Sequence, residues 1–552
     1  MQRGKTTMDA PIYSAEWKAW QDPEVPEFFN PTQVILDRHA NGALAGKTAL
    51  VVDDVPVTYA GLLEEVSRAA NGLRGLALPV DSRILIFATD SLAMIATWFG
   101  AVRSGVVPAG ISELYKAHQL AYFLRDTAAT ALFIDEAQFD KLAEAGDDLP
   151  DTLRKVIVNG TVADSGFLAA RGIEVVAYAD MVAGQAATAA PVPRHRNDVA
   201  YMFYSGGTTG TAKGITHLAH DFVIVPERHG LWWEYSSDDI VFATSKKYFT
   251  HGLWPGLLIP LYWGGTSIVT AQPPRADIVT DIVERHRPTK LITVPTVIKM
   301  LLAHFDTMDR EPRFASVRGV YSASEKMPPE VFERWHARFG VELMDSIGSS
   351  EVTYEWIANR PGDFRRGSLG KPVPGVEIRL VDDDGNDVTT PDTPGECWVR
   401  SRTACFFYWR KFDETKNTFQ GPWVRTGDQL QFDADGYFWF AGRSNDVFKV
   451  KGLWVSPIEI EAAITRDERV LEAAAIGIDG DDGLTKVKAF VVLKAGVTGD
   501  DALAADLKER VRGEAGGYKV PENIAFVDEL PRTTLQKIDR RALRDREAAA
   551  KS

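Results

Sequence analysis

The alternation of short apolar runs with amphipathic ones is the sequence feature that most constrains the fold. From about residue 48, strand-like runs (TALVVDD, RILIFAT, VVPAGI, TALFID, RKVIVNG) alternate with helix-like runs such as YAGLLEEVSRAANGLR and SLAMIATWFGAVRSG. Short apolar strands separated by helices indicate a sheet covered on both faces. A chain of 552 residues is too long for one core, so we expect an α/β protein of two or three domains.

The pattern changes after residue 375. VEIRLVDDDG, GECWVRS and DGYFWFAGR are typical of antiparallel strands joined by Asp-Gly turns. A compact α+β pattern follows, in which Pro457 suits the first turn of a helix. We predict a large N-terminal body of stacked α/β sheets with a β-rich subdomain (1–442), a hinge (443–447) and a small, mobile α+β C-terminal domain (448–552), with a linker at 186–198.

Composition and charge exclude several classes of function. Lysine and arginine total 62 against 76 acidic residues, a net charge of −14, which argues against a general nucleic-acid surface. Cys397 and Cys405 are too few for a disulfide scaffold or a thiolate metal site. No apolar run approaches 18 residues, and the N-terminal segment lacks the pattern of a secretory signal. We expect a cytoplasmic protein without a membrane span.

The stretch YSGGTTGTAKG, at 204–214, follows the strand-like run DVAYMFY and precedes GITHLAHDFVIV, which can open a helix. A Gly-rich turn between strand and helix directs backbone N–H groups at one point and suits phosphate. The stretch does not match the Walker pattern, because Lys213 precedes Gly214 rather than Ser or Thr. The residues alone leave an ordinary surface turn open as the alternative.

His217 and His220 are three residues apart in HLAH and would share one face of a helix. That spacing suggests a metal site, but the sequence offers no third ligand beside them. We therefore interpret both as part of the helix after the Gly-rich turn.

Four further stretches follow the turn in order: SIGSSE (346–351), VRTGD (424–428), AGRSNDVFKVKG (441–452) and LPRTTLQKIDR (530–540). Together with YSGGTTGTAKG they resemble the motifs of the AMP-forming acyl-adenylating enzymes, a superfamily of acyl- and aryl-CoA ligases, adenylation domains and beetle luciferases. The resemblance covers nearly the whole chain. It implies that a carboxylate is joined to AMP with release of pyrophosphate, and that a thiol then takes the acyl group.

The resemblance assigns the triphosphate site to the Gly-rich turn. Two anions, a carboxylate and ATP, must meet, so cations and amide dipoles have to offset their repulsion. By resemblance Glu351, with Thr209 near it, would hold Mg²⁺, a cation that prefers carboxylate oxygen. Ser350 would hydrogen-bond the α-phosphate or the acyl carboxylate. The residues expected to cradle the β- and γ-phosphates are Ser205, Gly206, Gly207, Thr208, Thr209, Gly210 and Lys213.

The nucleoside of ATP would be held by residues further along the chain. Asp428 and Arg443 match positions that grip the ribose hydroxyls, since one carboxylate can accept two O–H bonds. Ser324, in SASEKMP, stands where the family often has glycine beside the adenine. The remaining residues that the resemblance assigns to the cofactor site are Glu325, Asp345 and Ile347.

The C-terminal domain would act twice. Lys537 matches the lysine that bridges the carboxylate and the α-phosphate during adenylation, a task that suits a mobile ammonium. The family rotates this domain at a hinge, here Asn445, and Gly452 would then line the path of pantetheine. The sequence departs from the family at Leu535 and Gln536, which replace a small residue and glycine.

Within the superfamily, the C-terminal half is most similar to benzoate-type CoA ligases. The candidate acyl-site residues are Phe249, Thr250, His251, Gly252, Ile347 and Tyr354, with Trp254 nearby. Aromatic and aliphatic walls suit a planar acid. Thr250, His251 and Tyr354 add polar groups that favour a substituted or heteroaromatic acid, although His251 could instead bond only the backbone.

The resulting hypothesis is an aryl-CoA ligase that uses ATP, Mg²⁺ and coenzyme A on a small aromatic carboxylic acid, with no nucleic-acid or membrane partner. The sequence ends soon after Lys537, which favours free CoA over a carrier protein. A stand-alone adenylation enzyme, luciferase-like chemistry and a non-catalytic nucleotide or acyl-adenylate sensor stay open as alternatives. The exact acid and the oligomeric state, including a homodimer, are left open by the sequence.

Overall fold

The apolar runs found in the sequence form two large, mostly parallel sheets. The computed structural model describes residues 19–162, 165–205, 212–325, 327–443, 448–450, 453–479, 485–532 and 538–551. These residues fall into two units: one contains the chain up to 205 with 212–377 and 399–424, and the other contains 378–398 and the chain from 425 onward. Each unit is described by itself.

The strands are identified by number in chain order. They are β1 (Phe28–Phe29), β2 (Thr48–Val52), β3 (Val55–Thr58), β4 (Arg83–Phe87), β5 (Val107–Gly110), β6 (Ala131–Asp135), β7 (Lys155–Asn159), β8 (Glu174–Ala177), β9 (Arg194–His195), β10 (Val199–Tyr204), β11 (Gly214–Leu218), β12 (Ile240–Ala243), β13 (Thr266–Val269), β14 (Lys290–Thr293), β15 (Gly319–Ser322), β16 (Leu343–Gly348), β17 (Glu355–Ala358), β18 (Lys371–Pro372), β19 (Val376–Val381), β20 (Gly395–Ser401), β21 (Tyr408–Trp409), β22 (Phe419–Gln420), β23 (Trp423–Phe432), β24 (Phe438–Arg443), β25 (Phe448–Val450), β26 (Leu453–Val455), β27 (Val470–Asp479), β28 (Thr485–Leu493) and β29 (Asn523–Phe526).

The helices lie between these strands. They are α1 (Arg38–Ala40), α2 (Tyr59–Gly75), α3 (Leu92–Ser104), α4 (Ala117–Thr127), α5 (Asp140–Ala145), α6 (Gly166–Ala169), α7 (Tyr178–Val182), α8 (Asp221–Trp232), α9 (Thr250–Leu253), α10 (Ile259–Tyr262), α11 (Ala276–His286), α12 (Pro295–Phe305), α13 (Pro329–Phe339), α14 (Phe412–Thr418), α15 (Pro457–Thr465), α16 (Asp501–Glu514) and α17 (Arg540–Lys551). Shorter 3₁₀ or π segments are Gln33–Asp37, Glu136–Gln138, Gly146–Asp148, Trp254–Leu258, Ser350–Val352 and Gly517–Lys519. No helix in the described ranges is long and apolar enough to cross a membrane.

The two sheets of the first unit share one design. The first has strand order β21-β11-β10-β5-β4-β6-β7-β8 and the second β18-β17-β16-β15-β14-β12-β13-β2-β3. Their central strands pair in parallel, whereas β11 and β21 in the first and β3, β17 and β18 in the second pair antiparallel. These central strands are mostly buried, which is expected where helices cover both faces. The α/β prediction is confirmed.

Local capping sets where several helices begin. The Thr58 side chain accepts a hydrogen bond from the Gly61 N–H at the start of α2, and Ser91 accepts one from Met94 at the start of α3. Each side-chain oxygen pairs one of the N–H groups that a helix leaves without an internal partner. Pro457 stands in the first turn of α15, as the sequence indicates.

The second unit contains the β-rich and the C-terminal segments. Strands β23 and β24 pair antiparallel, and β27, β28 and β29 form a separate sheet. An apolar core that includes Val455, Ile460 and Leu507 lies against that sheet. The α+β pattern that the sequence predicts after residue 448 is therefore present, and the proposed domain bounds stay a prediction.

Two local predictions are wrong. The run GITHL forms strand β11, and a helix begins only at Asp221, because β-branched residues here pair with β10 on one side and β21 on the other. The segment 186–198 is more than a linker, since it contains strand β9, which pairs with β1.

A buried ion pair joins α8 to the beginning of the described chain. Arg228 donates to both carboxylate oxygens of Asp22, each at 2.7 Å, and to the Ser401 hydroxyl at 2.8 Å. The Arg228 side chain is 1% exposed. Removing one partner of such a pair leaves the other charge uncompensated, which costs far more than the net value of the pair.

We therefore expect Arg228→Met to lower the free energy of unfolding of the first unit by about 3–5 kcal/mol. Urea unfolding followed by circular dichroism measures this, with Arg275→Met as the control, because the ion pair of Arg275 with Asp277 is largely exposed. Equal losses in the two variants would contradict the assignment. Adding Asp22→Asn to Arg228→Met should recover part of the loss.

Candidate active site

The Gly-rich turn connects two antiparallel strands. β10 ends at Tyr204 and β11 begins at Gly214, and the Ser205 N–H donates to the Lys213 carbonyl at 3.1 Å. The Lys213 N–H lies 3.4 Å from the Ser205 hydroxyl oxygen. Ser205 and Lys213 therefore stand side by side at the base of a hairpin. The prediction that a helix follows the turn directly is wrong, because strand β11 follows it. An anion bound here would therefore be held by the turn and Lys213 and not by the N-terminus of a helix.

The other predicted residues of this turn, Gly206, Gly207, Thr208, Thr209 and Gly210, lie outside the described residues. Their assignment to the phosphates stays a prediction.

Tyr408 connects Lys213 to Glu351. The Tyr408 hydroxyl donates to Glu351 Oε1 at 2.7 Å, and Lys213 Nζ lies 4.7 Å from the centre of the same ring. Burial, and then the charge of Glu351, raise the pKa of the Tyr408 phenol, so it stays protonated and donates. The backbone of Glu351 is fixed as well, because its carbonyl accepts from the Cys405 N–H at 2.8 Å. A cation and a carboxylate are thus held on one aromatic ring.

Sequence reasoning missed Tyr408. It lies on β21, which pairs with β11 through Ile215 and so enters the sheet beside the hairpin. The available signal was the aromatic run FFYW shortly before the VRTGD motif.

Ser350 is held by a buried polar network. Its carbonyl lies 2.7 Å from His217 Nε2, and His217 Nδ1 lies 3.1 Å from Asp221 Oδ2. Tyr201 stacks on the imidazole with ring centres 4.9 Å apart, and the Thr353 hydroxyl donates to the same Asp221 oxygen at 3.2 Å. Since a carbonyl only accepts, His217 Nε2 carries the proton. The Thr353 hydroxyl also lies 3.1 Å from Nδ1. The imidazole therefore donates to the Ser350 carbonyl and fixes the backbone of Ser350.

This arrangement corrects the interpretation of the two histidines. His217 lies on β11 and His220 precedes α8, so they do not share a helix face. The described residues contain no group of three or more His, Cys, Asp or Glu side chains that could hold a metal ion. A Mg²⁺ bound to a nucleotide needs no such group, because phosphate oxygens and water supply most of its ligands and one carboxylate, such as that of Glu351, can suffice from the protein.

The candidate acyl-site residues run from the surface inward along α9. Phe249 is 40% exposed, Thr250 is half-buried and His251 is 6% exposed. The Thr250 hydroxyl lies 3.1 Å from the Ser350 hydroxyl. Thr250 therefore links the predicted acyl site to the residue predicted to bind the α-phosphate or the carboxylate.

His251 bonds the backbone and also contacts side chains. Its Nε2 lies 3.0 Å from the Thr293 carbonyl, and its Nδ1 lies 3.5 Å from the Tyr354 hydroxyl. Tyr354 is buried against His229, with ring centres 4.9 Å apart. Burial lowers the pKa of His229 to about 4, so it is neutral at physiological pH. Ile347, on β16, is half-buried and pairs with Ile357 of β17.

Gly252 has a packing reason of its own. A Cβ at this position would lie 2.0 Å from the Lys246 carbonyl oxygen and 2.5 Å from that of Ser245. The absence of a side chain therefore lets α9 pass directly over the loop before it, which sets the position of Thr250 and His251.

The segment predicted to form the adenine wall contains a strained residue. Ser324 has φ of +75°, a left-handed conformation that glycine adopts more easily, which fits its place where the family often has glycine. Glu325 accepts from the Thr296 hydroxyl at 2.6 Å and from the Thr296 N–H at 3.1 Å. Asp345 is fully buried, which raises the pKa of its carboxyl group. The carbonyl of Asp345 accepts from the Asn359 amide at 2.8 Å.

Asp428 lies in the second unit, opposite Arg443 in the register of β23 and β24. Its side chain is buried, and its N–H donates to the Thr426 hydroxyl at 3.1 Å. The backbone thus brings the predicted ribose pair together. The Arg443 side chain, Asn445, Gly452 and Lys537 lie outside the described residues, so their roles stay predictions.

Two protein-family models together match most of the chain. A model described as "AMP-binding enzyme" matches residues 36–409, and one described as "AMP-binding enzyme C-terminal domain" matches residues 459–537.

Two curated relatives are aromatic-acid ligases. The chain is 36% identical over 529 residues to a benzoate–CoA ligase of Thauera aromatica, an alignment that covers 94% of this chain and 97% of the relative. It is 34% identical over 519 residues to a 4-hydroxybenzoate–CoA/benzoate–CoA ligase of Rhodopseudomonas palustris, covering 94% of each.

Solved structures are similar as well. A crystal structure of the anthranilate CoA ligase AuaEII in complex with anthranoyl-AMP has a TM-score of 0.87 at 34% identity, and covers 95% of this chain and 99% of that one. A benzoate CoA ligase from Burkholderia xenovorans LB400 has a TM-score of 0.82 at 32% identity, and covers 94% of this chain and 100% of that one.

The geometry at Gly252 predicts that Gly252→Ala lowers the free energy of unfolding by about 1–3 kcal/mol, since the added methyl group must displace backbone carbonyls. Urea unfolding measures the change. Gly75→Ala is the matched control, because a Cβ at Gly75 meets nothing within 4 Å and alanine favours a helix. Unchanged stability of Gly252→Ala would contradict the packing described.

Proposed function

Because this chain belongs to the AMP-binding enzyme family, we propose that it activates an aromatic carboxylic acid as acyl-AMP and transfers the acyl group to coenzyme A. The observation that carries the proposal is the meeting of two motifs: Lys213 and Glu351 contact Tyr408, and Ser350, next to Glu351, contacts Thr250. Full-length similarity to benzoate-type ligases supports an aromatic acid.

Two reactions follow one another in this proposal. A carboxylate oxygen of the acid forms a bond to the α-phosphorus of ATP, and the bond to pyrophosphate breaks. The CoA sulfur then bonds to the acyl carbon, AMP leaves with the electron pair, and the thiol proton passes to solvent. The products are aryl-CoA, AMP and pyrophosphate.

The first reaction brings two anions together, and this chain's residues offset the repulsion. Lys213 supplies a positive charge beside the turn, and Ser350 supplies a hydroxyl that its own fixed backbone aims. Glu351 is the proposed carboxylate ligand of Mg²⁺, which when bound neutralises phosphate charge. Lys537, by its motif, would bridge the acid and the α-phosphate.

The assay measures pyrophosphate release with ATP, Mg²⁺ and a panel of aromatic and aliphatic acids, with and without CoA. Mass spectrometry then identifies the products. Aryl-CoA formed only when CoA is present supports the proposal. Adenylate without transfer to CoA indicates a carrier-protein enzyme, and nucleotide binding without turnover indicates a sensor. A cytoplasmic location and a homodimer stay predictions of the sequence.

Tyr408→Phe tests the ring that connects the two charges. Losing a hydrogen bond to a charged group costs about 1.5–3 kcal/mol, so we expect kcat/KM for ATP to fall by about 10-fold or more. Phenylalanine keeps the ring beneath Lys213. Tyr262→Phe is the matched control, because it removes a hydroxyl from Glu227 away from this site. The same kcat/KM in both variants would contradict a role for Tyr408.

Lys537→Ala should reduce acid-dependent exchange of pyrophosphate into ATP by about 100-fold, the scale expected for loss of one oriented donor. The same variant supplied with ready-made aryl-AMP and CoA should still form thioester, since the lysine is assigned to the first reaction alone. Near-normal pyrophosphate exchange would reject that assignment.

A further inference from the structure

Glu355 is a buried carboxyl group that the proposed mechanism does not use. It opens β17 directly after Tyr354, and the residue is 3% exposed. Its backbone is fixed, because the Glu355 carbonyl accepts from His229 Nε2 at 2.8 Å. Neither of its carboxyl oxygens has a hydrogen-bond partner among the described residues. Such a group is costly to bury, so it calls for an explanation.

The side chain of Glu355 lies beside the candidate acyl site. His251 Nδ1 is 3.3 Å from Glu355 Oε1, although the two are not aligned as a hydrogen bond. A Cβ at Gly348, the neighbour of Ile347, would lie 2.9 Å from Glu355 Cγ. The carboxyl group is therefore next to His251, a buried residue of α9 that the sequence assigns to the acid.

His251 cannot satisfy this carboxyl group. Its Nε2 donates to the Thr293 carbonyl, so in the neutral imidazole Nδ1 is an acceptor facing an acceptor. A proton on Nδ1 or on Oε1 would allow a hydrogen bond between these two atoms only. The Tyr354 hydroxyl also interacts with the Glu355 side chain, but neither carboxyl oxygen has a partner with hydrogen-bond geometry in the described part of the chain. When the carboxyl group is ionised, Oε2 therefore still requires a donor.

We propose that Glu355 determines specificity by accepting a hydrogen bond from a ring substituent of the acid, so that the enzyme selects amino- or hydroxy-substituted aromatic acids. This inference rests on the proposed function and adds the substrate class. The order of burial supports the placement: Thr250 touches Ser350 at the predicted carboxylate end, and His251 and Glu355 lie deeper, where the far side of a planar ring would reach.

The chemistry favours a donor over an apolar substituent. A carboxyl oxygen that stays unpaired beside a methyl group loses its solvation without compensation, whereas an N–H or O–H group restores a bond. Sites built to hydrogen-bond a substrate group reject analogues without that group much more strongly than apolar pockets reject an added group.

The test compares acids that match in size but differ in donor capacity. Aminobenzoates are paired with methylbenzoates, and hydroxybenzoates with fluorobenzoates, at the ortho, meta and para positions. For the wild-type enzyme we expect kcat/KM to favour the donor acid by about 10-fold or more at one ring position at least. Glu355→Leu should bring that ratio close to one and raise activity toward the methylbenzoate. Glu355→Gln, which keeps one acceptor oxygen, should retain part of the preference.

Glu330→Gln is the control, because Glu330 is exposed on α13 and should leave every ratio unchanged. A second readout is the thermal shift produced by sulfamoyl analogues of the aminobenzoyl and methylbenzoyl adenylates. The two analogues should produce different thermal shifts with the wild-type protein and equal thermal shifts with Glu355→Leu. If the leucine variant does not fold, the glutamine variant decides by the same ratios.

The outcomes separate this inference from the proposed function. Aryl-CoA formation with no donor preference at any position, or with a preference that Glu355→Leu keeps, would overturn the role of Glu355 and leave the ligase activity standing. Equal losses toward all acids in both variants would mean that Glu355 is structural, which also overturns it. If no aromatic acid is activated, the proposed function fails and the inference fails with it.

Discussion

The antiparallel pairing of β10, β11 and β21 at one edge of the first sheet is the constraint on which the candidate site depends. The hairpin of β10 and β11 places Ser205 beside Lys213, and the next strand, β21, carries Tyr408 into the same edge. A sheet edge is well suited to this purpose, because backbone hydrogen bonds fix the register and thereby fix which side chains meet. The charged groups of the site are positioned by backbone pairing rather than by their own attraction.

A second set of polar residues is buried and fixes the backbone of Ser350. Asp221, His217 and the Ser350 carbonyl form a connected series, closed on one side by the ring of Tyr201. Hydrogen bonds are electrostatically stronger where water is excluded, and a buried network tolerates few alternative arrangements. The network explains how Ser350 keeps one backbone position while its hydroxyl is left to contact Thr250 and, in the proposed reaction, the substrate.

Much of the fold could be predicted from the sequence because its signals are local. The apolar runs predict strands β2, β4, β5, β6, β7 and β10, and Thr58 and Ser91 mark where helices begin. The helix prediction for GITHL is wrong because this run pairs with β10 and β21 as a strand, and the helix begins only after it. Tyr408 and Glu355 were missed for a different reason: the partners that give them meaning, Lys213 and His251, are far away in sequence.

The sequence by itself determined the alternation of strands and helices, the order of the motifs and the chemical types of residue that a carboxylate-activating site needs. Those properties depend on side-chain identity and on spacing within a few residues, and both can be read along the chain. Only the tertiary structure decided which of these residues meet. It shows that Tyr408 donates a hydrogen bond to Glu351 and lies beneath the Lys213 ammonium, and that Glu355 is buried against His251. The physical reason is that strand register and burial, which set these distances and the surroundings of each charge, arise from contacts between segments far apart in the chain.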